Sequence, residues 1–308
     1  MATTAKIGLL MPCSFADDPP DLATFVAFVR QAEALGFHSL WVTDRIFHTI
    51  NIVDPLTLLA CAAAVTSRLR LGTSVLLAVL RHPVWLAKTA ASLDYLSGGR
   101  LILGVSLGGR DEEFASLGVP IKQRVSLLQE HLTVMRRLWT QPQVTFHGRY
   151  YRLVQVSMEP KPIQKPSIPI LMGGRVEAVF KRSAEDADGW IAGGYGDAEA
   201  FRESWRKVRA YAAAAGKDPD TLDSGKLLHI MVGEDRQRCL EQLAAFTHAY
   251  YGRPYDVERH SVFGPPQDCA AQIQAFIDAG AKTLMLWPTW PDVEQATRIA
   301  REVVPLLR

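Results

Sequence analysis

The chain has 308 residues, 48% of them hydrophobic, and is therefore long enough to bury a large core. Its 34 basic and 32 acidic residues give a formal net charge of +2 without a basic run, which does not favour a nucleic-acid or anionic-membrane partner. The four cysteines form no C-x-x-C pair, and no apolar run is long enough to span a bilayer. We therefore expect a soluble cytoplasmic protein whose single domain covers residues 1–308.

Short apolar segments alternate with amphipathic segments along the whole chain. The predicted strands cover residues 7–11, 39–43, 71–77, 101–109, 168–172, 189–192, 226–232 and 283–287. The predicted helices cover residues 22–35, 55–65, 84–96, 123–139, 176–186, 197–215, 235–250, 267–279 and 292–306. Continuous apolar runs are typical of parallel strands that are buried on both faces. Eight such units favour a closed (β/α)8 TIM barrel over an open doubly wound sheet.

Two stretches depart from this repeat and predict insertions after strands four and seven. After strand four, a charged connection over 110–118 precedes a helix, and the alternating residues 143–158 around Gly148 predict a hairpin. After strand seven, the helix over 235–250 leads into a loop over 251–266 that is rich in Tyr, Gly and Pro. These two connections are expected to supply the walls of the pocket.

In a barrel, function belongs to the residues that follow the carboxyl ends of the strands. Glycine pairs follow strands five and six (Gly173-Gly174 and Gly193-Gly194), and their exposed amides are suited to binding a phosphate. Ordinary turn chemistry would also explain these pairs. Polar residues follow strand two, where Asp44 and Arg45 also fit a local ion pair and His48 also fits a structural histidine.

The sequence carries no H-E-x-x-H motif, no Walker loop and no G-x-S-x-G motif. A zinc hydrolase built on a barrel needs several histidine ligands at the strand ends, and only His48 and His229 are candidates. We therefore expect no metal site.

Many short motifs, in order from residue 6 to about 195, resemble those of the bacterial luciferase-like monooxygenase family. The resemblance is closest to the branch that includes the deazaflavin-dependent (coenzyme F420) oxidoreductases. The matching segments are Trp41-Val-Thr-Asp44, Gly72-Thr-Ser-Val75, Arg81-His-Pro83, Ala87-Lys88, Leu93-Asp-Tyr-Leu-Ser-Gly-Gly-Arg100, Leu103-Gly-Val-Ser-Leu-Gly108, Glu113-Phe114, Arg124, Leu138-Trp139, His147-Gly-x-Tyr-Tyr151, Pro160-x-Pro162, Gln164-x-Pro166, Gly173-Gly174 and Ala187-Asp-Gly-Trp190.

This resemblance implies a dimeric (β/α)8 barrel that holds FMN or F420 at its mouth. It implies a non-proline cis peptide at Ser74–Val75 behind the cofactor ring, and cofactor contacts from further residues around it. The implied cofactor-binding residues are Ser74, Val75, Leu77, Ser106, Gly108, Arg110, Gly173, Gly174, Arg175, Gly193 and Gly194. The expected catalytic residues are Asp44, Arg45 and His48, with Asp44 orienting Arg45 or the substrate, and Phe47, Tyr195 and Trp287 are expected to form apolar substrate walls. Trp287 is equally compatible with a place in the core.

Two residues depart from the family pattern. Arg45 stands where F420-dependent relatives often carry a histidine for hydride or proton transfer, and an arginine stays protonated. Arg45 is instead suited to an anionic substrate, the cofactor tail or negative charge on the reduced ring, and His48 is the remaining candidate for proton transfer. Leu107 replaces an acidic residue of the sugar-phosphate-oxidising relatives, which does not favour that dehydrogenase activity.

The resemblance leaves three functions open. We favour F420-dependent reduction or oxidation of a small organic substrate. The alternatives are an FMN-dependent monooxygenase supplied with reduced flavin by a partner reductase, and a flavin-binding protein without catalytic activity.

Overall fold

The structure, a computed structural model, describes residues 5–15, 18–289 and 293–308. Its strands are β1 (Lys6–Leu10), β2 (Ser14–Phe15), β3 (Ser39–Val42), β4 (Asn51–Ile52), β5 (Arg70–Thr73), β6 (Leu101–Val105), β7 (Val144–His147), β8 (Arg152–Val156), β9 (Ile170–Gly173), β10 (Gly189–Ala192), β11 (Asp223–Val232), β12 (Val262–Gly264) and β13 (Thr283–Pro288). Its helices are α1 (Leu22–Ala34), α2 (Pro55–Val65), α3 (Pro83–Leu96), α4 (Asp111–Ser116), α5 (Arg124–Thr140), α6 (Glu177–Asp186), α7 (Ala198–Ala214), α8 (Arg236–Tyr251), α9 (Val257–His260), α10 (Pro266–Asp278) and α11 (Val293–Arg298).

The main sheet closes on itself, which confirms the predicted (β/α)8 TIM barrel. Its parallel strands follow the order β1, β3, β5, β6, β9, β10, β11, β13, and β13 pairs with β1 again. Two helix N-termini carry acidic caps: the carboxylates of Asp21 and Asp54 accept the amides of Thr24 and Thr57 at 2.8 and 2.9 Å. No helix in the described part of the chain is long and apolar enough to cross a membrane.

Side chains alternate between two apolar layers along each barrel strand. On β11, Leu227 points into the barrel, whereas Leu228 and Ile230 pack in the layer between the strands and the helices. Inside the barrel, close packing requires a glycine at position 72 on the third barrel strand, β5. A Cβ at Gly72 would lie 2.2 Å from the ring of the fully buried Trp41, so only glycine lets the two strands approach.

Both predicted insertions are present, and the structure corrects their internal detail. The hairpin after strand four is confirmed as β7 paired antiparallel with β8. The 110–118 connection contains α4, and the 251–266 segment contains α9 and β12, which extends the main sheet beside the carboxyl end of β11. Helices and strands of three to six residues carry too few periodic positions for a sequence pattern to indicate them.

Several predicted boundaries are wrong. The fourth barrel strand ends at Val105 rather than at residue 109, and the seventh begins at Asp223 rather than at residue 226. The third barrel strand ends at Thr73 rather than at residue 77, because the chain turns at a cis peptide and re-joins the sheet only through a bridge between Leu76 and Val105. The last helix is shorter than predicted: α11 passes into a π-helical turn over Ile299–Val303 and a 3-10 turn over Val304–Leu306, and residue 292 lies outside the described residues.

Candidate active site at the barrel mouth

The predicted site residues gather at the carboxyl end of the barrel, which we call the mouth. Because the strands are parallel, the segments that follow β3, β5, β6, β9 and β10 meet there. The mouth has two sides of different composition. We call the side formed by the ends of β5, β6, β9 and β10 the glycine wall. We call the other side, formed by His229, Trp287 and the α8 residues Phe246, Tyr250 and Tyr251, the aromatic wall.

The centre of the glycine wall is the peptide bond between Ser74 and Val75, which is cis as predicted. It places the half-buried Val75 side chain against β9, where a Cβ at Gly173 would lie 2.7 Å from Val75 Cγ1. Gly173 is therefore required by the position of Val75, which explains the first glycine of the pair without a ligand. Ser74 Oγ is buried and has no hydrogen-bond partner in the described part of the chain.

Asp44 anchors the chain just beyond this bond. Its buried carboxylate accepts two hydrogen bonds from the Arg81 guanidinium, at 2.5 and 3.1 Å, and one from the Leu77 amide at 2.8 Å. Arg81 also contacts Asp54, the N-cap of α2, at 3.2 Å. Asp44 pairs with Arg81 and not with Arg45, so the local ion pair is wrong, and orientation of the substrate by Asp44 stays a prediction. The Arg81-His-Pro83 motif already singled out Arg81. A sequence does not show, however, which carboxylate this arginine pairs with.

Arg45 and His48 lie near α8. Arg45 is half-buried and forms no ion pair with any residue that the structure describes. His48 Nε2 lies 3.0 Å from the Tyr250 carbonyl oxygen, and Nδ1 accepts the Ile50 amide at 3.2 Å. This arrangement requires the neutral tautomer with the proton on Nε2, and burial lowers the pKa of His48. Both nitrogens are engaged, so a proton-transfer role for His48 would first require a hydrogen bond to break.

The second glycine pair lies on an anchored loop. The ammonium of Lys226, fully buried on β11, donates hydrogen bonds to the carbonyl oxygens of Gly193 and Tyr195 at 2.7 and 2.9 Å. Burial lowers the pKa of this lysine to about 7. Gly193 itself is exposed, and a Cβ built there would meet no atom of the described chain within 4 Å. Lys226 was missed from the sequence, although a single lysine in the apolar run of β11 was a visible signal.

Two arginines flank the ring of Tyr195 beside these glycines. The guanidinium carbons of Arg175 and Arg253 lie 4.9 and 5.3 Å from its centroid. Neither arginine forms an ion pair with a described residue. The glycine wall therefore combines open space at Gly193 with positive charge that the chain leaves uncompensated.

The aromatic wall is closely packed. His229 is fully buried, stacks on Trp287 with ring centroids 4.9 Å apart, and lies 3.1 Å from the Tyr251 hydroxyl through Nε2. Burial lowers its pKa to about 3, so the ring stays neutral. Trp287 is only 4% exposed because Tyr250 covers it at a centroid distance of 4.8 Å. Of the predicted substrate walls, Trp287 therefore lies in the core, whereas Phe47 is 45% exposed and Tyr195 is partly exposed.

The remaining predicted cofactor contacts lie on the glycine wall or beside it. Ser106 and Gly108 are partly exposed after β6, and Arg110 is half-buried at the start of α4. Gly108 has a φ of 68° and packs against Phe114 and Leu77, which is itself buried. An unpartnered buried hydroxyl, open space at a glycine and uncompensated arginines fit a planar cofactor with an anionic tail.

Comparisons with known proteins identify the family. The model of the luciferase-like monooxygenase family matches residues 6–256. An uncharacterized protein of Mycobacterium tuberculosis is 44% identical over 149 residues, and the match covers 48% of this chain but only about half (51%) of that relative. An F420-dependent glucose-6-phosphate dehydrogenase of Kineococcus radiotolerans is 30% identical over 313 residues, which cover 91% of this chain and 92% of that protein.

Solved structures share the fold at low identity. An F420-dependent secondary alcohol dehydrogenase in complex with an F420-acetone adduct has a TM-score of 0.85 and 22% identity, and 100% of each chain is covered. The oxygenating constituent of 3,6-diketocamphane monooxygenase of Pseudomonas putida, in complex with FMN, has a TM-score of 0.81 and 18% identity, with 99% of each chain covered. Both deazaflavin and flavin enzymes are thus built on this barrel. The chain belongs to the luciferase-like monooxygenase family, which confirms the family that its sequence resembles.

Proposed function

We propose that this protein is an oxidoreductase that binds F420 at the glycine wall and uses it to reduce or oxidise a small organic substrate. The observation that carries the proposal is the open space at Gly193, beside Arg175 and Arg253, which have no ion-pair partner in the described chain. The F420-dependent relative, aligned over nearly the whole chain, supports a deazaflavin over a flavin.

Each residue of the glycine wall has a separate task in this proposal. The bound cofactor supplies the electrons or hydride. Val75 supports the face of its ring, and the backbone of Gly174 and Gly193, with Arg175, binds its anionic tail. Lys226 keeps the Gly193 loop in place through two carbonyl oxygens. Asp44 acts indirectly, because its contacts with Arg81 and Leu77 fix the segment that follows the cis peptide.

Arg45 gives the site its own substrate preference. It carries a positive charge without an acidic partner in the described chain and stands near the ring of Tyr250 at the edge of the mouth. We propose that it binds an anionic group of the substrate or stabilises negative charge on the reduced ring. Phe47 and Tyr195 supply exposed apolar surface for the rest of the substrate. Leu107 cannot act as an acid. We therefore do not assign the substrate of the F420-dependent relative, glucose 6-phosphate, to this protein.

We also propose a homodimer. Helix α3 exposes Trp85, Tyr95 and Leu96, which are 73%, 55% and 72% accessible in the single chain. Large apolar side chains gathered on one helix are typical of a protein interface. A flavin reductase is a partner only under the FMN-dependent alternative.

Titration of the purified protein with F420, FMN and reduced FMN, followed by fluorescence, tests the proposed function. Tight binding of F420, followed by its oxidation or reduction with a substrate panel, is the expected result. Binding of reduced FMN alone would contradict it in favour of the monooxygenase. Binding without turnover across the panel would contradict it in favour of a non-catalytic flavin-binding protein.

A further inference from the structure

A cavity of about 340 Å³ lies at the amino end of the barrel, opposite the mouth. It is lined by residues that begin or precede several strands: Lys6 on β1, His38 before β3, Arg70 on β5, and the 165–169 segment before β9. Its inner surface includes Ile102 on β6 and Leu171 on β9, which belong to or pack against the core inside the barrel. The cavity therefore has an apolar inner surface and a charged rim.

Positive charge exceeds negative charge on this rim. Its two carboxylates are already occupied: Asp223 pairs with Lys6 at 3.6 Å, and Asp188 accepts the Ile170 amide at 2.8 Å and lies 3.6 Å from Arg136. Arg70 and Lys165 are left without an ion-pair partner in the part of the chain that the structure describes. Two cationic side chains therefore reach the cavity without a direct ion pair, although Asp94 and Asp223 act on the charge of Arg70 from a distance.

Two polar atoms of the cavity lining are buried without a partner. Arg70 donates through Nη2 to Gln164 Oε1 at 2.8 Å, but its Nε–H has no acceptor among the described residues. His38 Nδ1 is also buried and unpartnered. A buried donor without an acceptor costs free energy comparable to that of a lost hydrogen bond, so such atoms in a native protein call for an explanation. Both atoms belong to residues of one cavity.

We propose that this cavity is a second binding site, for a small organic anion that carries a phosphate or carboxylate group. The anionic group pairs with the Arg70 guanidinium and lies beside His38, with Lys165 adding charge at the opening. The remainder of the molecule lies against Ile102 and Leu171. A volume of about 340 Å³ exceeds that needed for a lone ion and falls within the range of small-molecule sites, which runs from about 300 to 1,000 Å³. The proposal does not depend on the function proposed for the mouth.

The location of binding can be measured at His38. Burial, with the charges of Lys6 and Arg70, lowers the pKa of this histidine. An anion in the cavity favours the protonated ring, so the pKa of His38 should rise by roughly half a unit or more when inorganic phosphate is added. Histidine NMR, with the His38→Gln variant assigning the signal, measures this shift. The signal of His48, at the mouth, reports separately on phosphate that binds there.

Calorimetric titration with inorganic phosphate, and then with citrate as a carboxylate probe, tests the site directly. We expect binding at the cavity with millimolar or tighter affinity in the unmodified protein, separate from phosphate held by the arginines of the mouth. Lys165→Gln, a change at an exposed position, should weaken it about threefold to fivefold. Arg70→Gln should weaken it at least about tenfold. The Arg175→Gln variant, which removes charge at the mouth, should leave the His38 shift and the effect of Lys165→Gln unchanged.

Three results would overturn the proposal. The first is absence of phosphate and citrate binding at concentrations of tens of millimolar. The second is binding that Arg175→Gln abolishes and Lys165→Gln leaves unchanged, because the anion would then bind at the mouth. The third is binding without any change in the pKa of His38. Since Arg70 also holds Gln164, loss of folding in Arg70→Gln would leave Lys165→Gln and the His38 signal as the deciding measurements.

Discussion

The two walls of the barrel mouth differ in packing: the aromatic wall is closely packed, and the glycine wall is open. The aromatic wall buries its polar atoms among rings: His229 stacks on Trp287 and meets the Tyr251 hydroxyl, and Trp287 is 4% exposed. The glycine wall leaves space at Gly193, where a Cβ would meet no described atom within 4 Å. One wall therefore stabilises the fold, and the other is available to a ligand. A strand's carboxyl end in a barrel is not by itself evidence of contact with the ligand.

The largest expected effect is at the anchor of the glycine wall. Arg81→Met removes the guanidinium that pairs with Asp44, whose carboxylate is fully buried. An uncompensated buried charge typically costs about 3–5 kcal/mol, so urea denaturation should show a loss of that order in the free energy of unfolding. The control is Arg259→Met, which breaks the exposed pair with Asp197 and should have little effect. A loss of less than about 1 kcal/mol would show that Asp44 is not anchored as described.

The aromatic wall should make the protein sensitive to acid. The pKa of His229 is lowered by burial from 6.5 to about 3, so below pH 6.5 the unfolded chain binds a proton that the folded chain does not. Stability should therefore fall as the pH decreases, by about 2 kcal/mol between pH 6.5 and 5 from this group alone. His131, with a pKa lowered to about 4, acts in the same direction.

Comparison with His229→Gln isolates the contribution of this residue. The difference in unfolding free energy between the two proteins should narrow as the pH falls from 6.5 to 5, because only the unmodified chain carries the penalty at His229. If this difference in unfolding free energy stays constant over this range, His229 takes up a proton in the folded protein. The aromatic wall would then be more accessible to water than the structure indicates.

Glycine substitutions sharpen the contrast within the glycine wall. In Gly173→Ala, the new methyl would lie 2.7 Å from Val75 Cγ1, so we expect a loss of about 1–3 kcal/mol from overpacking. In Gly193→Ala, the methyl meets no described atom within 4 Å, and the stability should change by less than about 0.5 kcal/mol. Thermal unfolding measures both. Equal losses in the two variants would show that the surface at Gly193 is filled by the chain.

The sequence predicted the barrel, and the end of the barrel where the candidate site residues gather, better than it predicted which side chains contact one another there. Eight apolar runs and the glycine pairs carry local patterns, because burial on both faces and exposed backbone impose them on consecutive residues. The pairing of Asp44 with Arg81 joins residues far apart in the chain, and only the fold decides it. The burial of Trp287 has the same origin, since Tyr250 reaches it from the insertion after the seventh barrel strand.

The smallest effect on stability is expected at Arg45. This half-buried arginine has no ion pair in the described chain, so Arg45→Ala should change the free energy of unfolding by less than about 0.5 kcal/mol. Turnover or binding of anionic substrates should fall instead, because the site loses its uncompensated charge. Steady-state kinetics across neutral and anionic substrates make the comparison. Unchanged kinetics with both classes would remove Arg45 from the proposed mechanism.

The most direct test of the account is the affinity of Gly193→Ala for F420 and for FMN, followed by fluorescence beside the unmodified protein. We predict normal folding with an affinity for the bound cofactor reduced at least about tenfold, because the methyl occupies the space proposed for the anionic tail. An unchanged affinity in a folded variant would contradict the assignment of the cofactor to the glycine wall.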